Sequence, residues 1–181
     1  PISTYNKTKM VAERVFLSYK DKMRVFCIRP ATVCGLSPRM RLDVAVNLLT
    51  FQALKFNEIT VLGGNQVRPN IHIDDITDLY LHLMNQKNLK SDCFNAGFEN
   101  ISILDIAKKI QTKTNCRITI KESNDPRSYR QDSSKILLTG FKPKKNVDIA
   151  IEEIIDAYKS GKLIDSPSSY TVKWMKANKY S

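Results

Sequence analysis

A tyrosine and a lysine four residues apart, Tyr5 and Lys9, are the side chains of this chain best suited to moving a proton. On a helix that spacing stacks the two on one face, one turn apart. An ammonium group beside a phenol favours the phenolate, and a phenolate can serve as a general base. The spacing recurs at Tyr158 and Lys162, but Gly161 lies between them, where a helical pattern is ending. Context separates the two pairs: Pro1, Ser3 and Glu13 frame the first.

The other reactive residue types have plainer readings. His72 alternates with isoleucines, as a strand residue does, and reads as structural. Asp74 and Asp75 stand where a helix begins and read as caps. Cys27, Cys34, Cys93 and Cys116 form no C-x-x-C pair. Cys27 and Cys93 lie in apolar strand-like runs, the pattern of reduced core thiols in a cytoplasm. With only His72 and His82 besides, no metal site is expected. The net charge of +11 is spread along the chain as scattered lysines. Without a dense basic run or aromatic interleaving, this reads as a solvated surface and no nucleic-acid partner is expected. The same bias suits anionic ligands such as nucleotide diphosphates. No apolar run approaches membrane-spanning length and no signal peptide opens the sequence, so a cytoplasmic protein without membrane contact is expected.

The elements that must position Tyr5 and Lys9 follow from periodicity. Met10, Val11, Val15, Phe16 and Tyr19 predict a helix over about 5–21. Residues 24–28 read as a short buried strand ended at Arg29-Pro30, with a loop through Pro38. Asp43 is the expected cap of a helix bearing Val46, Leu49, Leu54 and Phe56. Residues 59–62 and the Ile71/Ile73 alternation read as strands, the first closed by Gly63-Gly64-Asn65. A helix bearing Ile76, Leu79, Leu83 and Met84 follows, then a strand over 93–96 ended by Gly97. Ser102 and Asp105 form an acidic capping box for a helix with Ile106, Ala107 and Ile110. Ile118 and Ile120 mark another strand, and a polar loop over 122–131 leads to a short helix capped by Asp132. Asp148 is the expected opening of the last long helix, stopped by Gly161, and Trp174 the anchor of the tail. Strands alternating with helices predict α/β architecture with a mainly parallel sheet.

These residues resemble, in order, the second half of an extended short-chain dehydrogenase/reductase of the NAD-dependent epimerase/dehydratase family acting on nucleotide sugars. The resemblance runs through Pro1-x-Ser3-x-Tyr5-x-x-x-Lys9, residues 28–35, Asn47-Leu48, and Thr60-Val61-Leu62-Gly63 followed by Arg68. It continues through residues 71–75, Asn95-Ala96-Gly97, residues 127–135 and Gly140-Phe141-Lys142-Pro143. It implies the C-terminal portion of a Rossmann-type parallel sheet plus a smaller mixed α/β substrate-binding lobe. Residues 1–35 would end the cofactor domain and 36–181 would form mainly the lobe, with segments around 60–97 returning to the cofactor domain.

The implied cofactor is NAD or NADP, and the implied substrate a nucleotide-diphosphate sugar. By resemblance, Tyr5 is the acid/base and Lys9 holds the nicotinamide ribose and supports Tyr5. Pro30, Thr32 and Val33 wall the nicotinamide side, and Thr32 also faces substrate. Asn47, Leu48, Arg68 and Arg127 hold the sugar diphosphate, the arginines through forked donors that match phosphate oxygens. Thr60, Val61 and Leu62 flank the base. A homodimer through the Tyr5 helix is a further implication. A 4-keto sugar reductase of the same family and a non-catalytic substrate-binding or scaffolding lobe stand as alternatives. None of the six glycines forms a G-x-x-G-x-x-G loop for a dinucleotide pyrophosphate. The expectation is therefore a fragment that lacks its N-terminal Rossmann half and is inactive alone.

Overall fold

The computed structural model describes residues 3–123 and 127–179. Pro1 of the Tyr5 motif and part of the loop expected over 122–131 lie outside them. The chain runs α1 (Thr4–Leu17), β1 (Phe26–Pro30), β2 (Thr32–Cys34), α2 (Ala45–Phe56), β3 (Glu58–Leu62), β4 (Val67–His72) and α3 (Ile73–Asn85). It continues through β5 (Asp92–Ala96), β6 (Glu99–Ser102), α4 (Ile103–Thr114), β7 (Arg117–Lys121), α5 (Ser134–Leu137), α6 (Val147–Lys159) and α7 (Thr171–Ala177). The α/β class is the one the sequence predicts. Three pairings among the described residues are parallel: β1 with β5, β2 with β4, and β3 with β7. β6 joins β4 antiparallel.

Two apolar clusters divide the body. Ile71, Ile76, Leu79, Leu83, Phe94 and Ala96 form one, with Phe26, Ile28 and Val33 packed on it. Val46, Leu49, Ile59, Val61, Ile106, Ile110 and Ile151 form the other, which is the lobe of α2, β3, α4, β7 and α6. Val61 therefore sits with the lobe, whereas the stretch from Ile71 to Ala96 joins the first cluster. A third, smaller cluster of Met40, Leu42, Phe51 and Leu163 ties the C-terminal segment to α2.

Several local expectations are corrected. β2 occupies a stretch read as loop and β6 one to which no element was assigned, because strands this short carry no measurable alternation and exist only by pairing with β4. Ile73 starts α3 rather than continuing a strand. The cap of α3 is His72, whose Nδ1 accepts the Asp74 amide at 3.1 Å, so neither Asp74 nor Asp75 caps. Asp75 is instead buried and accepts the Lys144 and Lys145 amides at 2.9 and 3.0 Å. Asp43 caps nothing. It takes Arg41 Nε and the Thr171 amide, joining the loop before α2 to the start of α7. α6 is capped by Asn146, not Asp148, which pairs with Lys109. In each case a competing acceptor or donor reached through the tertiary fold took the carboxylate. Trp174 is 36% exposed, and the tail is held beside it by Leu163 and by the Leu42 amide on Ser169 O.

Candidate active-site cleft

Ser3 opens α1, its Oγ accepting the Asn6 amide at 3.2 Å. From there the helix brings Tyr5 and Lys9 to one side, with Lys9 Nζ 5.3 Å from the Tyr5 ring centroid. Tyr5 is 68% exposed and opens into a cleft of about 540 Å³. Lys9 is not among the residues that line it and borders a neighbouring cleft with Glu13 and Phe16. The helix is pinned to the sheet through Glu13, which takes Arg29 Nε and Nη2 in two parallel bonds of 2.7 Å. That forked contact holds the Glu13 carboxyl below the usual glutamate range and pushes the Arg29 guanidinium higher still. Arg29 stands at the end of β1, so the clamp sets the distance between Tyr5 and the strand end.

The far wall follows directly from β1. Pro30, Thr32 and Val33 line the Tyr5 cleft, as do Asn47, Arg39 and Arg41. Between β2 and α2 the chain turns at Gly35, whose φ of +103° disfavours any residue with a Cβ. A Cβ there would also meet His72 Nε2 at 2.6 Å. Asn47, 3% exposed, clamps this turn. Its Oδ1 accepts the Gly35 amide at 3.0 Å, and its Nδ2 donates to Gly35 O at 3.3 Å and Arg41 O at 3.0 Å. His72 lies behind the turn and meets Glu153 Oε2 at 3.0 Å, and Lys145 bridges Glu153 to Asp74. The wall is thus backed by a partly exposed polar network anchored on the buried His72.

The other expected substrate residues fall into two groups. Arg68 donates through Nη1 to Val67 O and to Arg127 O, and its guanidinium lies 5.5 Å from the Tyr129 ring centroid. Tyr129 lines the Tyr5 cleft, whereas Arg68, which stands against Tyr129, and Arg127 are not among the residues that line it. Leu48 is half-buried on α2, one residue past Asn47. Thr60, Val61 and Leu62 lie on β3, paired with Thr119, Ile120 and Lys121, and stand outside the residues that line the cleft. Arg39 and Arg41 were not singled out in the sequence. The signal available was two arginines flanking Met40 in the loop just before Asn47.

The NAD dependent epimerase/dehydratase family matches residues 1–97. An uncharacterized UDP-glucose epimerase, YtcB of Bacillus subtilis, is 28% identical over 143 residues, which is 75% of this chain and 45% of that protein. The crystal structure of UDP-glucuronic acid 4-epimerase from Bacillus cereus with UDP-glucuronic acid and NAD superposes with a TM-score of 0.75 at 28% identity. That match covers 88% of this chain and 54% of the other. The dTDP-glucose 4,6-dehydratase of Bacillus anthracis with NAD, 19% identical, shares the fold at a TM-score of 0.76 over 96% of this chain and 56% of its own. The chain thus spans about half the length of the relatives it matches. The KH domain family also matches, at residues 105–156. Gly140 is the sole glycine there, so the stretch has no paired-glycine loop of the kind with which KH domains clamp nucleotides.

Proposed function

The chain belongs to the NAD-dependent epimerase/dehydratase family, and from that premise we propose that it supplies the acid/base and substrate side of a nucleotide-sugar epimerase or dehydratase. The observation that carries this reading is Tyr5, exposed on a helix with Lys9 beside it and opening into a cleft bordered by arginines. Tyr5, as phenolate, takes the proton of a sugar hydroxyl, and the Lys9 ammonium stabilises that phenolate. NAD, when bound, accepts hydride from the same carbon. Lys9 and the wall of Pro30, Thr32 and Val33 fit its nicotinamide end. Arg68 and Arg127, with Arg39 and Arg41 as further donors, suit the two phosphates of the substrate. In this reading Asn47 serves the substrate by fixing the wall, and Thr60, Val61 and Leu62 meet the base only if it extends beyond the cleft.

The chain carries no glycine-rich pyrophosphate loop, so on its own it binds NAD weakly and is inactive, and a complete enzyme needs a Rossmann half. A homodimer through α1 fits the exposed Val11, Val15 and Phe16 on that helix. Tyr5→Phe in the full-length protein tests the assignment. Turnover should fall by a factor of about 10²–10⁴, with nucleotide-sugar affinity nearly unchanged. Unchanged turnover would assign the chain to a scaffolding role, and reduction of a 4-keto sugar without epimerisation by the unaltered protein would favour the reductase alternative.

A further inference from the structure

Cys27 and Cys93 are far apart in the chain, yet the parallel pairing of β1 and β5 makes them direct partners in register. Such partners point to the same face of a sheet, on strands about 4.8 Å apart. Disulfides span Cα separations of about 4.4–6.8 Å. Both thiols are free and half-buried. Cys93 Sγ lies 3.8 Å from Glu13 Oε2, on the helix that carries Tyr5. Register pairing and the Glu13 contact thus bring two sulfurs and one carboxylate into a single cluster. Cys27 lines a cleft of about 480 Å³ with Lys9, Glu13 and Phe16, wide enough to admit a small oxidant. Cys34 and Cys116, by contrast, are 1% and 2% exposed and belong to the lobe core.

We propose that Cys27 and Cys93 are a dithiol modification site, closed by peroxide into a disulfide that ties β1 to β5 beneath α1. One thiol, as thiolate, attacks a peroxide oxygen. The O–O bond breaks, a sulfenic acid forms, and hydroxide leaves to take up the released proton as water. The neighbouring thiol then attacks that sulfur, the S–S bond forms, the S–O bond breaks, and a second water leaves. The two thiols lose two electrons and two protons, and hydrogen peroxide accepts them all.

The surroundings set the pace of this reaction. Burial and the adjacent Cys93 push the Cys27 thiol up, and the Glu13 carboxylate faces the pair, so ionisation is sparing and the first step is slow. Once one sulfur is oxidised, closure is intramolecular and fast relative to further oxidation. Closure also removes the Cys93 thiol proton that Glu13 accepts, which leaves Glu13 to Arg29 alone.

The test is treatment of the folded chain with hydrogen peroxide, followed by alkylation under denaturing conditions, intact mass measurement and peptide mapping. The expected result is two alkyl groups taken up instead of four, a mass before alkylation lower by two hydrogen atoms, and one linked peptide pair containing Cys27 and Cys93. A dithiol reductant should restore the original mass. Cys27→Ser and Cys93→Ser, checked for retained fold by circular dichroism, should each lose the link and gain oxygen at the remaining thiol. Phenylarsine oxide, which bridges adjacent thiols, should shield both cysteines of the unmodified chain from alkylation. Oxygen addition without a link, a link through Cys34 or Cys116, or no reaction at all would each overturn the proposal. These readouts do not depend on catalysis, so they stand or fall separately from the assignment of Tyr5.

Discussion

Asn47→Ala should unclamp the cleft wall, and the structure gives the size of the effect. The side chain is 3% exposed and holds the amide and carbonyl of buried Gly35 together with the carbonyl of Arg41. Alanine leaves both Gly35 groups without partners. Arg41 is exposed, so water replaces the bond to its carbonyl. A buried polar group stripped of its partner costs about 1–3 kcal/mol, so two place the loss at about 2–6 kcal/mol. With a urea dependence of about 2 kcal/mol/M, the unfolding midpoint should fall by about 1–3 M with the slope unchanged. Urea titration followed by circular dichroism, with no ligand present, measures this directly. Asn47→Asp sharpens the test. It keeps an acceptor for the Gly35 amide but turns a carboxylate toward two carbonyl oxygens, so it should destabilise more at neutral than at acid pH. A midpoint for Asn47→Ala within about 0.3 M of the unaltered chain would refute the clamp and return Asn47 to direct duty on a substrate.

Three further outcomes follow from the same geometry. Gly35→Ala combines a positive φ with a 2.6 Å approach to His72 Nε2 and should cost about 2 kcal/mol or more in thermal or urea unfolding; His72→Ala in the same chain should recover the steric part. Asp75→Asn can accept only one of the two amides its carboxylate now holds, and should lower stability by about 1–3 kcal/mol in the same assay. The Glu13 carboxyl is depressed by Arg29, so its contribution is present above the unfolded glutamate range and is lost as pH falls through the lower folded value. Unfolding curves of the unaltered chain and Glu13→Gln should differ by up to about 1 kcal/mol at pH 7, since the pair is partly exposed, and converge well below about pH 4.

Local chemistry made the framework of this protein legible from its residues. Helical stripes, short apolar strands and the Tyr5–Lys9 spacing each depend on neighbours within a turn or two, so the α/β class and the placement of Lys9 beside Tyr5 could be read directly. The helix caps were read less well, because Asp43, Asp74, Asp75 and Asp148 were assigned by proximity in sequence. Each of these carboxylates found a partner tens of residues away that only folding supplies.

The cleft belongs to the same second category. Asn47 resembles a ligand-binding residue in one dimension, and the turn at Gly35 gives it backbone partners in three. Arg39 and Arg41 become cleft residues because the loop before α2 is folded back and held at Asp43 by the start of α7. The Cys27–Cys93 cluster is likewise invisible until β1 and β5 pair. Sequence periodicity determines which elements form and which faces they bury. Which distant side chains meet is decided by strand order and helix packing, because those contacts depend on the whole chain closing around its two apolar clusters.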